Sequence, residues 1–257
     1  MIKAVFLDFD ETTFSHKTKQ IPDSAYQAIL DAQNNNIKIF LATGRDINEL
    51  KEFDCRNLNF DGYVLNSGSL LLDKELNIIN ISIFEGEEKE KVLKFFNDKK
   101  FPTIIRTRTS GYMNYIDDNS LNVLKSINSP TPPIKNYENE DIMVITVFIK
   151  NEKDRKYILD LFKDSSVTWW QNYSADIIPN GLNKLDGIKK ILDHYHIDIS
   201  EALTIGDSKN DIEMISGVPH SVAMGNSVQE IKDIAEYITT DINDNGLENA
   251  FKKYNII

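Results

Sequence analysis

Residues 4–13 read AVFLDFDETT. Ala4, Val5, Phe6 and Leu7 form a near-continuous apolar run, as a strand does when helices cover both its faces, and Asp8 and Asp10 end that run abruptly. Positions i and i+2 of a strand share a face, so both carboxylates point into one small space if the backbone stays extended. Two negative charges there repel unless a cation or a shared proton intervenes. The competing reading is a turn or a helix start, because Asp and Thr favour such places and DETT has the look of a cap. These ten residues leave both readings open, and the rest of the chain decides between them.

Outward from this stretch the pattern repeats. Pro22 and Asp23 open a predicted helix with Ala25, Ile29 and Ala32 at helical spacing, and the asparagines at 34–36 end it. IKIFLATGR (37–45) reads as a second buried strand running into a polar turn, and DGYVLNSG (61–68) as a third. Strand, helix, strand at such intervals is the signature of right-handed crossovers in a parallel sheet, where ligands bind at the carboxyl ends of the strands. From about residue 80 the texture changes to a mixture of charged helical stretches and strands without polar ends. After about residue 175 the first texture returns, with Leu185, Ile188, Ile191 and Leu192 on one helical face, and with EALTIGDS (201–208) and SVAMGNS (221–227) as further strands with polar ends. The expected organisation is an α/β core with a Rossmann-like parallel sheet, built from 1–79 and 175–257, and an inserted α/β cap domain over 80–174.

A chain of 257 residues suits one large α/β domain or two smaller ones, and 41% hydrophobic with 27% charged residues is ordinary for a globular protein. The net charge of −11 argues against general affinity for nucleic acid or an anionic membrane surface. Cys55 has no second cysteine to pair with, which fits a reducing compartment, and no zinc cluster can be built on it. The start of the chain lacks the layout of a signal peptide, and the longest strongly apolar run, IMVITVFI (142–149), falls far short of the roughly 20 residues a membrane helix needs. The expectation is a cytoplasmic protein with no membrane, nucleic-acid or obligate protein partner.

Four strand ends carry complementary chemistry: Asp8 and Asp10 after AVFL, Thr43 and Gly44 after IFLA, Lys184 after IIPNGLN, and Asp207 and Asp211 in GDSKND. Each has a bland reading alone, as a turn, a surface lysine or a helix-start charge. As an ordered set, DFDET (8–12), ATGR (42–45), Lys184 and GDSKND (206–211) resemble the motifs of the haloacid dehalogenase-like superfamily, most of all its Cof-type phosphatases, which insert a large α/β cap between the second and third motifs. NSGS (66–69), DIIPNGLNK (176–184), AMGNS (223–227) and a late TTDINDNGL agree with that resemblance. Three positions depart from the family pattern: Glu11 stands where glycine is usual, Thr13 after Thr12 where leucine is usual, and Leu185 where a small residue is usual.

The resemblance implies a magnesium-dependent phosphatase acting on a small phosphorylated metabolite, with a sugar phosphate the first expectation. Asp8 is then the nucleophile that forms an aspartyl phosphate, its carboxylate being ionised at neutral pH by its ordinary pKa. Asp10 is the acid and base for the leaving group and the water, which calls for a pKa nearer neutrality. Thr43, Gly44 and Lys184 hold phosphoryl oxygens, Asn210 binds substrate phosphate, and Asp211 supports Lys184 or the metal's outer shell. Mg2+ is held by Asp8, Asp207 and the backbone carbonyl of Asp10, an all-oxygen set. A phosphomutase and a catalytically inactive phosphometabolite-binding protein are the alternatives. The cap residues Arg106, Arg108, Tyr112, Tyr115, Trp169 and Trp170 are left unassigned, and His16 is expected to be a surface residue.

Overall fold

The computed structural model describes residues 1–108, 110–127 and 129–257, residue 171 by its backbone alone. The chain divides into two compact units, one made of Met1–Asn80 with Asn183–Ile257 and the other of Ile81–Leu182. In chain order the strands are β1 (Ala4–Leu7), β2 (Lys38–Ala42), β3 (Gly62–Leu65), β4 (Leu70–Asp73), β5 (Ile78–Ile81), β6 (Thr103–Arg106), β7 (Gly111–Met113), β8 (Val144–Phe148), β9 (Ser166–Gln171), β10 (Ser174–Ile178), β11 (Ala202–Gly206), β12 (His220–Ala223) and β13 (Tyr237–Ile238). The helices are α1 (Asp23–Asn34), α2 (Ile47–Lys51), α3 (Gly86–Asn97), α4 (Asp118–Ser126), α5 (Glu152–Leu161), α6 (Lys184–Tyr195), α7 (Ile212–Gly217), α8 (Gln229–Lys232) and α9 (Gly246–Lys253).

The first unit is built on an eight-stranded sheet in the order β13-β12-β11-β1-β2-β3-β4-β5. Pairing is parallel from β13 to β3 and turns antiparallel at the β3–β4 hairpin. The stretch AVFL is its middle strand, with Ala4 opposite Ala202 on one side and Lys38 on the other. Ala4 and Phe6 pack with Ile188, Ile191, Leu192 and Met214 from α6 and α7. Val5 and Leu7 point to the opposite face and are also fully buried, on a sheet whose strand β2 is packed by α1, itself against α9. Burial on both faces is why this strand reads as an unbroken apolar run.

The second unit holds a five-stranded antiparallel sheet in the order β7-β6-β8-β10-β9. Its core is aromatic, with Phe84, Phe95, Phe96, Phe101 and Phe162 packed against Ile145, Val147 and Ile177. Tyr112 is a fully buried part of that core.

One expected boundary moves. Residues 175–182 were expected in the core half, but β10 pairs Asp176 with Thr146 of β8 and with Thr168 of β9, so the return to the first unit falls at Asn183. The Thr146 hydroxyl donates to Asp176 Oδ1 at 2.6 Å, which satisfies the buried carboxylate within this sheet. Helix α4 and the short β4–β5 extension lie outside the elements expected from the sequence.

Candidate active site

The carboxyl ends of β1, β2 and β11 and the start of α6 converge, as expected of a parallel sheet whose strand order reverses direction of growth on either side of β1. Asp8 follows β1 directly and is 3% exposed; Lys184 opens α6 and is 1% exposed. Lys184 Nζ donates to Asp8 Oδ1 at 2.6 Å and to Asp211 Oδ1 at 2.7 Å. The other oxygen of Asp211 accepts from the backbone N–H groups of Asp207, at 3.0 Å, and Ser208, at 3.1 Å. Asp211 is thereby fixed by the GDSKND turn and in turn fixes the ammonium.

Local sequence explains how Lys184 arrives there. Asn183 caps α6, its side chain accepting from the N–H of Asp186 at 3.0 Å, which makes Lys184 the first helical residue. Against this cap lies the turn Asn66–Gly68, in which three consecutive residues have positive φ of 50°, 55° and 104°. A side chain on Gly68 would strike the backbone carbonyl of Asn183, so the glycine of NSGS is demanded both by conformation and by close approach. Leu185, the departure from the family pattern, is accommodated by Gly217, whose missing side chain leaves the room that Leu185 fills.

Thr43 is buried at the end of β2 and its Oγ1 accepts from the N–H of Arg45 at 3.1 Å, leaving the hydroxyl proton to donate. The backbone of this turn is tied to the NSG turn, with the Ser67 N–H on the Thr43 carbonyl and the Asn66 N–H on that of Arg45. Gly44 lies between them. Asn210 is partly exposed on the GDSKND turn and accepts from the Ser208 hydroxyl.

Asp8, Asp207 and Asp211 each offer a carboxylate oxygen, all within 4.8 Å of one another. Burial, and then the neighbouring Asp211 carboxylate, push Asp8 up to about 7, against the pull of Lys184. Burial and the Asp8 charge push Asp207 up to about 9. Burial disfavours the Lys184 ammonium, but Asp211 and Asp8 outweigh it and raise its pKa above the ordinary lysine value. With all three carboxylates ionised against one ammonium, two negative charges stand uncompensated, and the donors are all oxygen. The residues therefore fit a hard dication. Burial in this cluster lifts Asp8 above the ordinary carboxylate value on which its expected ionisation rests, and a further cation beside it favours the anion.

Asp10 differs more from expectation. Its carboxylate accepts from Arg45 Nε at 2.8 Å through Oδ2, and from Arg45 Nη2 at 2.7 Å and His16 Nε2 at 2.6 Å through Oδ1. Burial alone would raise its pKa, but the bonds from His16 and Arg45 outweigh that and hold it down at about 2. The expected value near neutrality is thus overturned in the substrate-free protein, by two donors from outside DFDET. Its carboxylate also stands outside the group formed by Asp8, Asp207 and Asp211. Arg45 was already in the quoted ATGR motif, but nothing in the spacing marks His16, which is 22% exposed at the side chain rather than a free surface residue.

The turn that carries Asp10 is closed by its own bonds. The N–H groups of Thr13 and Phe14 reach the Phe9 carbonyl, the N–H of Glu11 reaches that of Phe14, and the Thr13 hydroxyl donates to the Asp8 carbonyl at 2.6 Å. Glu11 adopts φ of 57°, the left-handed conformation that suits the glycine usual at this position. Its carbonyl accepts from Asn226 Nδ2 at 2.8 Å, which gives AMGNS its part in the site.

The profile of the haloacid dehalogenase-like hydrolase family matches residues 5–251, and the chain belongs to that family. Among curated relatives, the Bacillus subtilis (strain 168) protein named "Putative phosphatase YkrA" is 26% identical over 258 residues, covering 99% of this chain and 98% of its own. Among solved structures, the subclass IIB sugar phosphatase BT4131 superposes with a TM-score of 0.88 at 30% identity, over 99% of this chain and 100% of its own. BT1666 from Bacteroides thetaiotaomicron, from a study of phosphatases of the same superfamily, gives 0.89 at 25% identity over 100% and 96%. The chain is a phosphatase of the haloacid dehalogenase type, with the Rossmann-like core and inserted second unit of that fold.

Proposed function

We propose that the protein is a magnesium-dependent phosphatase that hydrolyses a small phosphorylated metabolite, a sugar phosphate first, through an aspartyl phosphate on Asp8. The observation that carries this is the buried Asp8 carboxylate, held at one oxygen by Lys184 at 2.6 Å and grouped with Asp207 and Asp211. Lys184 occupies Oδ1, which leaves Oδ2 as the attacking atom. The sugar-phosphatase designation of BT4131 supports the substrate class. The acidic chain, with net charge −11, favours a small anion met by placed cations over nucleic acid or a membrane surface.

Asp8, Asp207 and Asp211 would hold or surround the metal, with the Asp10 carbonyl as a further ligand. When bound, it supplies charge neutralisation for the phosphoryl group and its anionic nucleophile. Asp8 Oδ2 attacks phosphorus as the bond to the leaving oxygen breaks, and Asp10 gives that oxygen a proton. Water then loses a proton to Asp10 and attacks phosphorus, the bond to Asp8 breaks, and phosphate departs with Asp8 restored. The Thr43 hydroxyl and Gly44 N–H bind phosphoryl oxygens, Lys184 offsets the charge built up in transfer, and Asn210 holds the substrate phosphate. A substrate dianion beside Asp10 raises the carboxyl from its resting low value, which favours the protonated form that the leaving oxygen needs.

The test is hydrolysis of p-nitrophenyl phosphate and a sugar-phosphate panel, with magnesium or EDTA, by wild type and Asp8→Asn. Magnesium-dependent turnover lost in the variant supports the reading. Wild-type phosphoryl exchange between sugar phosphates without net hydrolysis replaces it with a mutase, and no turnover at all with a binding protein.

A further inference from the structure

We infer that His16 is a positioning residue for the reaction: with Arg45 it fixes the Asp10 carboxyl in one orientation at the solvent-facing edge of the site. The inference rests on the proposed role of Asp10 as proton carrier.

Asp10 sits where such a carrier must sit. Its side chain is 36% exposed, whereas Asp8 and Lys184 are 4% and 1% exposed, so it alone of the three has solvent beside it. The Arg45 guanidinium grips the carboxylate with a fork, which sets its plane. His16 Nε2 makes the third contact, 2.6 Å from Asp10 Oδ1.

Both donors are themselves immobilised. Arg45 is 6% exposed, and its guanidinium carbon lies 4.4 Å from the centre of the Phe53 ring. His16 packs edge-on against Phe14 at 5.6 Å and Phe53 at 6.2 Å, and its N–H is bonded to Glu11 Oε1 at 3.1 Å. Phe9 and Phe14 stack at 5.3 Å beneath them. His16 thus closes the turn from Asp10 to residue 16 across its own mouth, through a side chain backed by aromatic rings. A surface histidine would need none of these contacts.

The function of such a tie follows from what Asp10 has to do. It serves two reacting oxygens in succession, first the leaving group and then water, from one position. Misplacement of a reacting group by about 1 Å can cost on the order of a hundredfold in rate. Removing His16 leaves the Arg45 fork but releases the turn, so proton delivery suffers while phosphate capture by Thr43 and Lys184 does not. The leaving group provides the readout. An alkoxide must be protonated as it departs, whereas p-nitrophenolate is a weak base and departs without a proton.

The experiment compares kcat/KM, which reads the steps up to departure of the leaving group and not the later attack of water, for an alkyl phosphate, glycerol 3-phosphate or the best sugar phosphate of the panel, with that for p-nitrophenyl phosphate. His16→Ala is expected to lower kcat/KM for the alkyl phosphate about tenfold more than for p-nitrophenyl phosphate, a fraction of the 10²–10⁴ carried by a general acid. His16→Gln, which places an N–H donor near the position of Nε2, is expected to restore most of that difference. Equal loss on both substrates, or none on either, in a variant with wild-type circular dichroism and melting temperature overturns the inference. Asp10→Asn run alongside separates the two claims. Selective alkyl loss in Asp10→Asn but not in His16→Ala overturns the positioning role alone, and equal loss on both substrates in Asp10→Asn overturns the acid role of Asp10 on which it rests.

Discussion

The carboxylate of Asp211 stands where a side chain on Gly206 would be: a β carbon placed on Gly206 falls 2.7 Å from Asp211 Cγ and Oδ2. The glycine that ends β11 is therefore part of the Lys184 cluster, because Asp211 can reach both the ammonium and the two N–H groups only over a bare backbone.

Gly206→Ala is expected to push Asp211 off Lys184, costing about 1–3 kcal/mol as overpacking does, and lowering turnover together with stability. Urea denaturation midpoints and kcat on the same preparations check it. A variant of unchanged stability and rate would show that the carboxylate has room to yield.

Lys184→Met removes the ammonium between Asp8 and Asp211 and leaves Asp8 buried without its charge partner, while Asp211 keeps its two backbone N–H donors. The expected loss is about 3–5 kcal/mol at neutral pH in the absence of metal, and smaller at pH 5, where Asp8, raised to about 7, is protonated and needs no charge partner. Turnover should be lost at every pH. Chemical denaturation in EDTA at pH 5, 6 and 7.5 provides the measurement.

The acidic group also makes the metal-free protein sensitive to alkali. Asp8 at about 7 and Asp207 at about 9 both lie above their ordinary 3.8, so folded protein binds these protons more tightly than unfolded chain. Their contribution to stability is complete below about pH 4 and is withdrawn as pH rises through 7 and then 9. In EDTA, stability should decline from pH 6 to pH 9 on their account. Magnesium affinity should climb over the same interval, with protons released on binding. Calorimetric titration in two buffers of different ionisation enthalpy measures that release, and an affinity independent of pH would contradict it.

Glu11 occupies a left-handed conformation with its side chain bonded to the N–H of His16. Glu11→Ala keeps the conformational cost and loses the bond, so it should destabilise by about 1 kcal/mol. Glu11→Gly relieves the first while losing the second, and should be the milder substitution. The order of the two melting temperatures decides.

The parts of this protein legible in its sequence are those fixed by period and by local caps. AVFL, IKIFLA and ALTIG are apolar because both faces of the sheet are covered, and each runs straight into the polar residues of the site. Asn183 before Lys184 is a cap signal that also places the ammonium. What stayed hidden depends on contacts distant in sequence. Ser174–Ile178 follows the second unit's pairing because of its register with Thr146 and Thr168, while its nearness to Lys184 in the chain suggested the core. The depressed pKa of Asp10 arises from Arg45, 35 residues away, and from a histidine with no motif around it.

The order of the sheet has a consequence for synthesis. β1 lies between β2 and β11, and Asp8 and Lys184 stand 176 positions apart, a span that includes the whole of the second unit. On the ribosome, the antiparallel sheet of 81–182 can pair from segments already made, while β1 waits with one edge open until Ala202–Gly206 emerges. The N-terminal half of the core is thus the stretch for which a chaperone has most to do. The charged cluster closes late in the birth of the chain, so a truncated product never carries a finished active site.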